Sequence, residues 1–221
     1  MKNQKILHQL ILASQSPRRR EILTWTGIPF LATSTDINED PRDAELPKNL
    51  AARLAQSKAR AVSTNANAVW VLAADTVVAL GDIALGKPRN EEEARTMLYQ
   101  LRNSDHEVHT SITLRDPKTG EEARRSVTTR VWMRPYTEAE IETYIATGDP
   151  FDKAGGYAVQ HNGFHPVKKL DCCYANVVGL PLCAVIAQLR DWGYTLPIDV
   201  LALCAEHFGY RCPAIDEGIT L

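Results

Sequence analysis

The sequence predicts an α/β fold in which helices flank a mixed β-sheet, and three stretches carry that expectation. The first is a short apolar run, Leu10, Ile11, Leu12 and Ala13, which gives way through residues 14–16 to a segment with Pro17 at its start and Gly27 at its end. That is how a buried strand hands over to a helix. The second, Val69–Leu80, is almost wholly apolar and rich in β-branched residues, the composition of a strand buried on both faces. The third alternates apolar and polar residues over 107–115, turns at PKTG and returns as SVTTRVWMRP, an antiparallel hairpin.

Taken in order, Ser16 is placed to cap the first helix and Pro17 to occupy its first position. Residues 29–43 read as a loop or irregular strand carrying Asp36, Glu39, Asp40 and Asp43. A helix follows, entered near Pro47, with Leu50, Leu54, Ala55 and Ala61 at helical spacing. After the long apolar strand, Gly81 and Asp82 form a turn and IALGKPR returns as a short partner strand. Asn90 with Glu93, and Thr137 with Glu140, have the spacing of capping boxes that open two further helices. Residues 149–167 read as a loop holding Gly155 and Gly156, which permit close backbone approach to a ligand. A helix starts at Pro181 and stops at Gly193, and a last one covers LPIDVLALCAEHFG. Residues 1–209 are expected to form one domain and 210–221 a tail.

Composition narrows the function. There are 25 Lys and Arg against 27 Asp and Glu in 221 residues, so no global basic field invites nucleic acid or an anionic membrane. No apolar run reaches the roughly 20 residues of a membrane span, and the start does not resemble a secretion signal. A cytoplasmic protein is expected. Five cysteines without CxxC spacing suit free thiols in a reducing compartment. His161, His165, Cys172 and Cys173 could gather a zinc ion only with unusual geometry.

Two features point to chemistry. The loop at residues 14–16 would present helix N-terminal N–H groups to an anion, with Arg18 and Arg19 as forked cationic donors. A solvated arginine face is the alternative. Asp75 lies within the apolar strand, where a carboxylate is costly unless paired, metal-bound or at an open end. Thr76 must point to the opposite face unless a bulge or strand end brings both to one site. The acidic residues at 36–43 are either a solvated loop or oxygen ligands for a divalent ion.

Six separated pieces, SQSPRRREIL at 14–23, SKAR at 57–60, AADTVV at 73–78, GKPR at 86–89, DKAGGYAVQ at 152–160 and NVVGLPL at 176–182, together resemble the Maf family of nucleoside triphosphate pyrophosphatases. The resemblance implies two lobes around a cleft, a fold related to the inosine triphosphatases, and a homodimer. It implies cleavage between the α and β phosphates with a divalent cation, Mg²⁺, Mn²⁺ or Co²⁺, acting on a small-molecule nucleotide. Residue by residue, it puts the general base on Asp75 and the phosphate loop on Ser14, Arg18 and Arg19. It places Lys58 and Lys87 facing the triphosphate and Glu39 with Asp75 at the metal. Arg18, Thr76 and Gln160 resemble the dTTP and UTP branch, with modified pyrimidine nucleotides as further candidates. His161 and the stretch at 161–175 depart from the family pattern near the expected base pocket. The older family name also carries a second reading, a non-catalytic nucleotide-binding regulator of septum formation. Within the site, Arg18 is expected to point into the cleft and Arg20 to stay in solvent.

Overall fold

The computed structural model describes residues 9–64, 69–194 and 196–213. The beginning of the first expected stretch, at 6–8, and the tail at 214–221 lie outside the described residues. Seven strands form one sheet in the order β2-β1-β3-β5-β6-β7, with β4 also paired to β3. β1 (Gln9–Ala13) runs parallel to β2 (Phe30–Thr33) and β3 (Val69–Leu80). The remaining pairings, which join β3, β4 (Ile83–Leu85), β5 (Asp105–Arg115), β6 (Glu122–Met133) and β7 (Val167–Leu170), are antiparallel. The sheet is therefore mixed, as the hairpin required.

Alternation along the strands divides the core into two layers. One face carries a single long helix, α2 (Pro47–Ala61), whose Leu50, Ala51 and Leu54 pack on Val77 while Ala59 packs on Val71 and Ala73. The other face carries two separate cores. Around Leu12, Leu72 and Ile112 gather α1 (Pro17–Thr24), α6 (Leu182–Asp191) and α7 (Val200–Phe208). Around Val78, Val108 and Val131 gather α3 (Glu91–Leu101) and α4 (Glu138–Ala146). β3, β5 and β6 run through both, so these strands are the spine of two lobes.

The cleft between the lobes begins in the sheet itself. β1 pairs with β3 only as far as Ala73, and β4 joins the same edge only from Val78. Residues 74–77 thus have a strand neighbour on one side alone, while their register against β5 runs unbroken.

The local signals behave as their chemistry dictates, with three differences. Ser16 caps α1 by accepting from Arg19 N, and Thr137 with Glu140 closes a full capping box on α4. Asn90 caps α3, but Glu93 turns outward to take Arg89, so that box is half made. β7 begins at the last residue of the loop expected over 149–167, and the short α5 (Tyr174–Val178) follows it in a stretch for which no element was expected. The tail folds back at its start, with Tyr210 against Tyr174 and Cys212 buried.

The acidic loop after β2 is pinned rather than free. Arg53 donates to both oxygens of Glu45, each at 2.7 Å, and to the carbonyl of Asp40 at 2.9 Å. That fork holds the Glu45 carboxyl down from 4.5 to about 2. A depressed acid stabilises the fold above its ordinary value and stops doing so as pH falls through its folded value. Glu45→Gln is expected to cost about 1.5–3 kcal/mol at neutral pH, or roughly 2–4 °C in thermal midpoint per kcal/mol. The difference from the parent protein should close as pH falls from 4.5 towards 2, and melting curves over that range check it.

Candidate active site

The open edge of β3 explains how Asp75 and Thr76 share a site without a bulge. Their side chains leave opposite faces of the strand, yet both line one cleft of about 590 Å³ because no neighbouring strand separates the faces at residues 74–77. That volume suits a ligand of nucleotide size. Ser14, Arg18, Arg19, Glu39, Lys58, Lys87 and Gln160 line the same cleft. The structure thus gathers all nine expected site residues at one place.

On the α2 side sits an ionic triad. Lys58 Nζ lies 2.5 Å from Asp75 Oδ1 and 2.7 Å from Glu39 Oε1. Asp75 is buried and Glu39 open to solvent. Burial pushes the Asp75 carboxyl up, with Lys58 and then Arg19 pulling the other way. A carboxylate poised above its ordinary value accepts a proton more readily, the property a general base requires.

On the opposite side, the strand-to-helix loop is braced from within. Ser14 Oγ accepts from Ser16 N at 3.1 Å, which leaves its hydroxyl proton uncommitted among the described residues. The three arginines then part. Arg20 is exposed and folds onto the carbonyl of Gln15. Arg18 lines the cleft but reaches across it to Asp152 at 3.0 Å. That pair is solvent-exposed and weak, about 0–1 kcal/mol, so an incoming phosphate can displace the carboxylate.

Arg19 is the anchored one. Its Nε donates to the carbonyl of Gly179 at 2.8 Å and its Nη2 to Thr76 Oγ1 at 3.0 Å. No carboxylate lies within ion-pair distance of it among the described residues. Burial lowers its pKa, meaning that the cation sits where water serves it poorly. Gly179 has φ +122°, and a Cβ there would stand 3.3 Å from both Arg19 Nε and Thr76 Oγ1, so glycine is required by backbone and by space.

Lys87 follows β4 on an exposed loop and has no ion pair or hydrogen bond among the described residues. Gln160 is likewise exposed and unpartnered at the cleft rim. The paired glycines also shape the wall of the cleft. Gly155 donates to the carbonyl of Gly86 at 3.0 Å and would place a Cβ 3.0 Å from Val78 Cγ1, so it clasps the Lys87 loop and lets its own loop lie on β3. Sequence reasoning missed Asp152, whose carboxylate takes both Arg18 and the buried Lys153; only the arginine opposite it hinted at a partner. Of the zinc candidates, His161 Nδ1 accepts backbone N–H groups from Gly163 and Phe164, and Cys173 Sγ caps α5.

Glu39 and Asp75 are the carboxylates that could hold a divalent cation. They fit, because both already converge on a single cation, the Lys58 ammonium, and both offer hard oxygen donors. Among the described residues no group of three His, Cys, Asp or Glu is gathered, so remaining ligands would come from phosphate and water.

A mixed α/β sheet interrupted at a cleft, with cations on its rim and a poised carboxylate at its floor, defines a phosphate-binding protein of the nucleotide-hydrolase type. The chain belongs to the Maf family: the family model described as Maf-like protein matches residues 9–192. A dTTP/UTP pyrophosphatase of Geobacter sp. (strain M21) is 43% identical over 193 residues, 87% of this chain and 98% of that protein. A dTTP/UTP pyrophosphatase of Myxococcus xanthus (strain DK1622) is 43% identical over 188 residues, 85% and 94% of the two chains. A solved HAM1 protein from Coxiella burnetii aligns at TM-score 0.41 with 16% identity, over 58% of this chain and 74% of that one.

Proposed function

We propose that the protein hydrolyses nucleoside triphosphates, dTTP and UTP foremost, to the nucleoside monophosphate and pyrophosphate. The observation that carries this reading is the opposition of Arg19, a half-buried cation without a carboxylate partner among the described residues, to Asp75, a buried carboxylate with a raised pKa, across one cleft. The relatives named dTTP/UTP pyrophosphatase, matched over nearly their whole length, support it.

In this reading Arg19, Arg18 and Lys87 take the phosphate oxygens, and Ser14 adds a hydroxyl donor. Neutralising that charge lets a nucleophile approach and stabilises the departing pyrophosphate. Asp75 orients a water and receives its proton as the water oxygen bonds to the α-phosphorus. The bond from that phosphorus to the bridging oxygen breaks, and pyrophosphate leaves with it. Glu39 and Asp75 would hold Mg²⁺, Mn²⁺ or Co²⁺, which supplies further charge neutralisation at the phosphates when bound. Lys58 keeps both carboxylates aimed at the same point. Gln160 pairs an amide donor and acceptor, a match for a pyrimidine edge. The homodimer implied by the family resemblance and the cytoplasmic setting expected from the sequence's composition belong to the same proposal.

A panel of dTTP, UTP, CTP and GTP with each metal, scored for pyrophosphate, tests it. Multiple-turnover release from dTTP and UTP, abolished by a chelator, is expected. Cleavage of purine nucleotides alone would overturn the base assignment to Gln160 and Thr76. Tight nucleotide binding without pyrophosphate release would overturn the hydrolase reading in favour of a regulator.

A further inference from the structure

Behind Arg19 a line of hydroxyls runs from half-buried Thr76 at the cleft into the core, where the proposed chemistry makes no use of it. Thr76 Oγ1, which accepts from Arg19, lies 2.9 Å from Thr110 Oγ1 on the neighbouring strand β5. Thr110 Oγ1 in turn donates to the backbone carbonyl of Asn176 at 2.8 Å. A threonine hydroxyl has one proton. Since that of Thr110 goes to Asn176, the proton between the two threonines must come from Thr76. The direction of the chain is therefore fixed: Arg19 donates to Thr76, Thr76 to Thr110, and Thr110 to Asn176.

The far end is anchored as firmly. Asn176 Nδ2 donates to the carbonyl of Val108 and to Thr129 Oγ1, each at 2.9 Å. Thr110, Thr129 and Asn176 are fully buried, and neither Thr110 nor Asn176 lines the cleft. The other fastening of Arg19, the Gly179 carbonyl, follows α5, the short helix that contains Asn176. Both supports of the guanidinium thus trace back to the same buried asparagine and its helix.

We propose that Thr110 and Asn176 are positioning residues for phosphate binding, holding Arg19 in place through Thr76 by this one-way chain. The inference rests on the triphosphate reading of the cleft. With Thr110 replaced by a side chain lacking the hydroxyl, Thr76 can turn its proton elsewhere, and the Asn176 carbonyl loses its buried donor. Arg19 would then keep its charge and lose its aim.

Thr110→Val tests this, because it removes the hydroxyl and keeps the shape. A fall of roughly 10- to 100-fold in kcat/KM for dTTP is expected, the scale on which a misplaced binding group acts. Inorganic pyrophosphate binding, measured by calorimetry without turnover, should weaken in parallel, and Thr110→Ser should restore both. The control is Thr113→Val on the same strand, since the Thr113 hydroxyl is equally buried but has no partner; it should leave kcat/KM unchanged. In an Arg19→Ala background Thr110→Val should cause no further loss, as residues acting in one chain are not additive. A full additional loss there, or failure of Thr110→Ser to rescue, would overturn the chain and leave Thr110 a purely structural residue. Should Thr110→Val not fold, Thr76→Val breaks the same chain while sparing the Thr110–Asn176 bond, and unchanged pyrophosphate binding in it would count equally against the proposal. Absence of pyrophosphate release from the parent protein would instead sink the triphosphate reading itself.

Discussion

Asp75→Asn is expected to reduce pyrophosphate release by about 10³-fold or more, the scale of a lost general base, without loss of the fold. The amide keeps the shape of the carboxylate and can still orient water, but it cannot take the proton. Removing one member of a buried ion pair usually leaves an uncompensated charge. Here Lys58 retains Glu39 at 2.7 Å, so no orphan results. The sign of the stability effect follows from the direction of the shift. Burial raises the Asp75 pKa, so the folded protein holds that proton more firmly than the unfolded chain. Above its folded pKa, ionised Asp75 therefore costs stability, and the Asn variant should melt no lower than the parent at neutral pH. In the metal-free protein the Asp75 carboxyl should titrate above the ordinary aspartate range, a step that an NMR titration should find missing from the Asn variant. Near-parental turnover in the purified variant would remove Asp75 from the role of base.

Arg19→Ala should produce the second-largest loss, roughly 10²–10³-fold in kcat/KM, comparable to deleting one preorganised donor from a transition-state anion site. Arg19→Lys should recover little. The guanidinium is held by two different nitrogens, Nε on Gly179 and Nη2 on Thr76, and an ammonium has no such fork. The comparison with Arg18→Ala is informative, because among the described residues Arg18 has only the exposed Asp152 to hold it and should cost less. Steady-state kinetics on the three variants decides the matter; equal losses from both arginines would show that anchoring contributes nothing.

Much of this site was legible in the amino-acid sequence, for reasons that can be named. Pro17 after Ser16 marked a helix entry beside an apolar strand, and a carboxylate inside VWVLAADTVVAL called for a partner, which proved to be Lys58. Two aspects were not legible. Short elements carry too little pattern: β7 is four residues with two exposed lysines, and α5 is five residues whose cap is a cysteine sulfur, a residue type that signals no cap. Relations between distant residues leave no local trace. Thr110 reads as an ordinary member of an alternating strand, and Asp152 as one more loop carboxylate. Thr76 was expected to need a bulge or a strand end to reach Asp75's site; what brings them together is pairing that ends on one edge of the strand while continuing on the other.

The continuity of β3, β5 and β6 through both lobes has a consequence for how the protein discriminates among ligands. Opening or shutting the cleft by swinging one lobe would shear two long hydrogen-bonded ladders at once, so the distance from the cleft floor to its walls is set by the sheet. Selectivity then has little access to induced closure. It must be exercised by side chains at the mouth, and a wrong nucleotide is rejected at entry instead of by failure of a later domain movement.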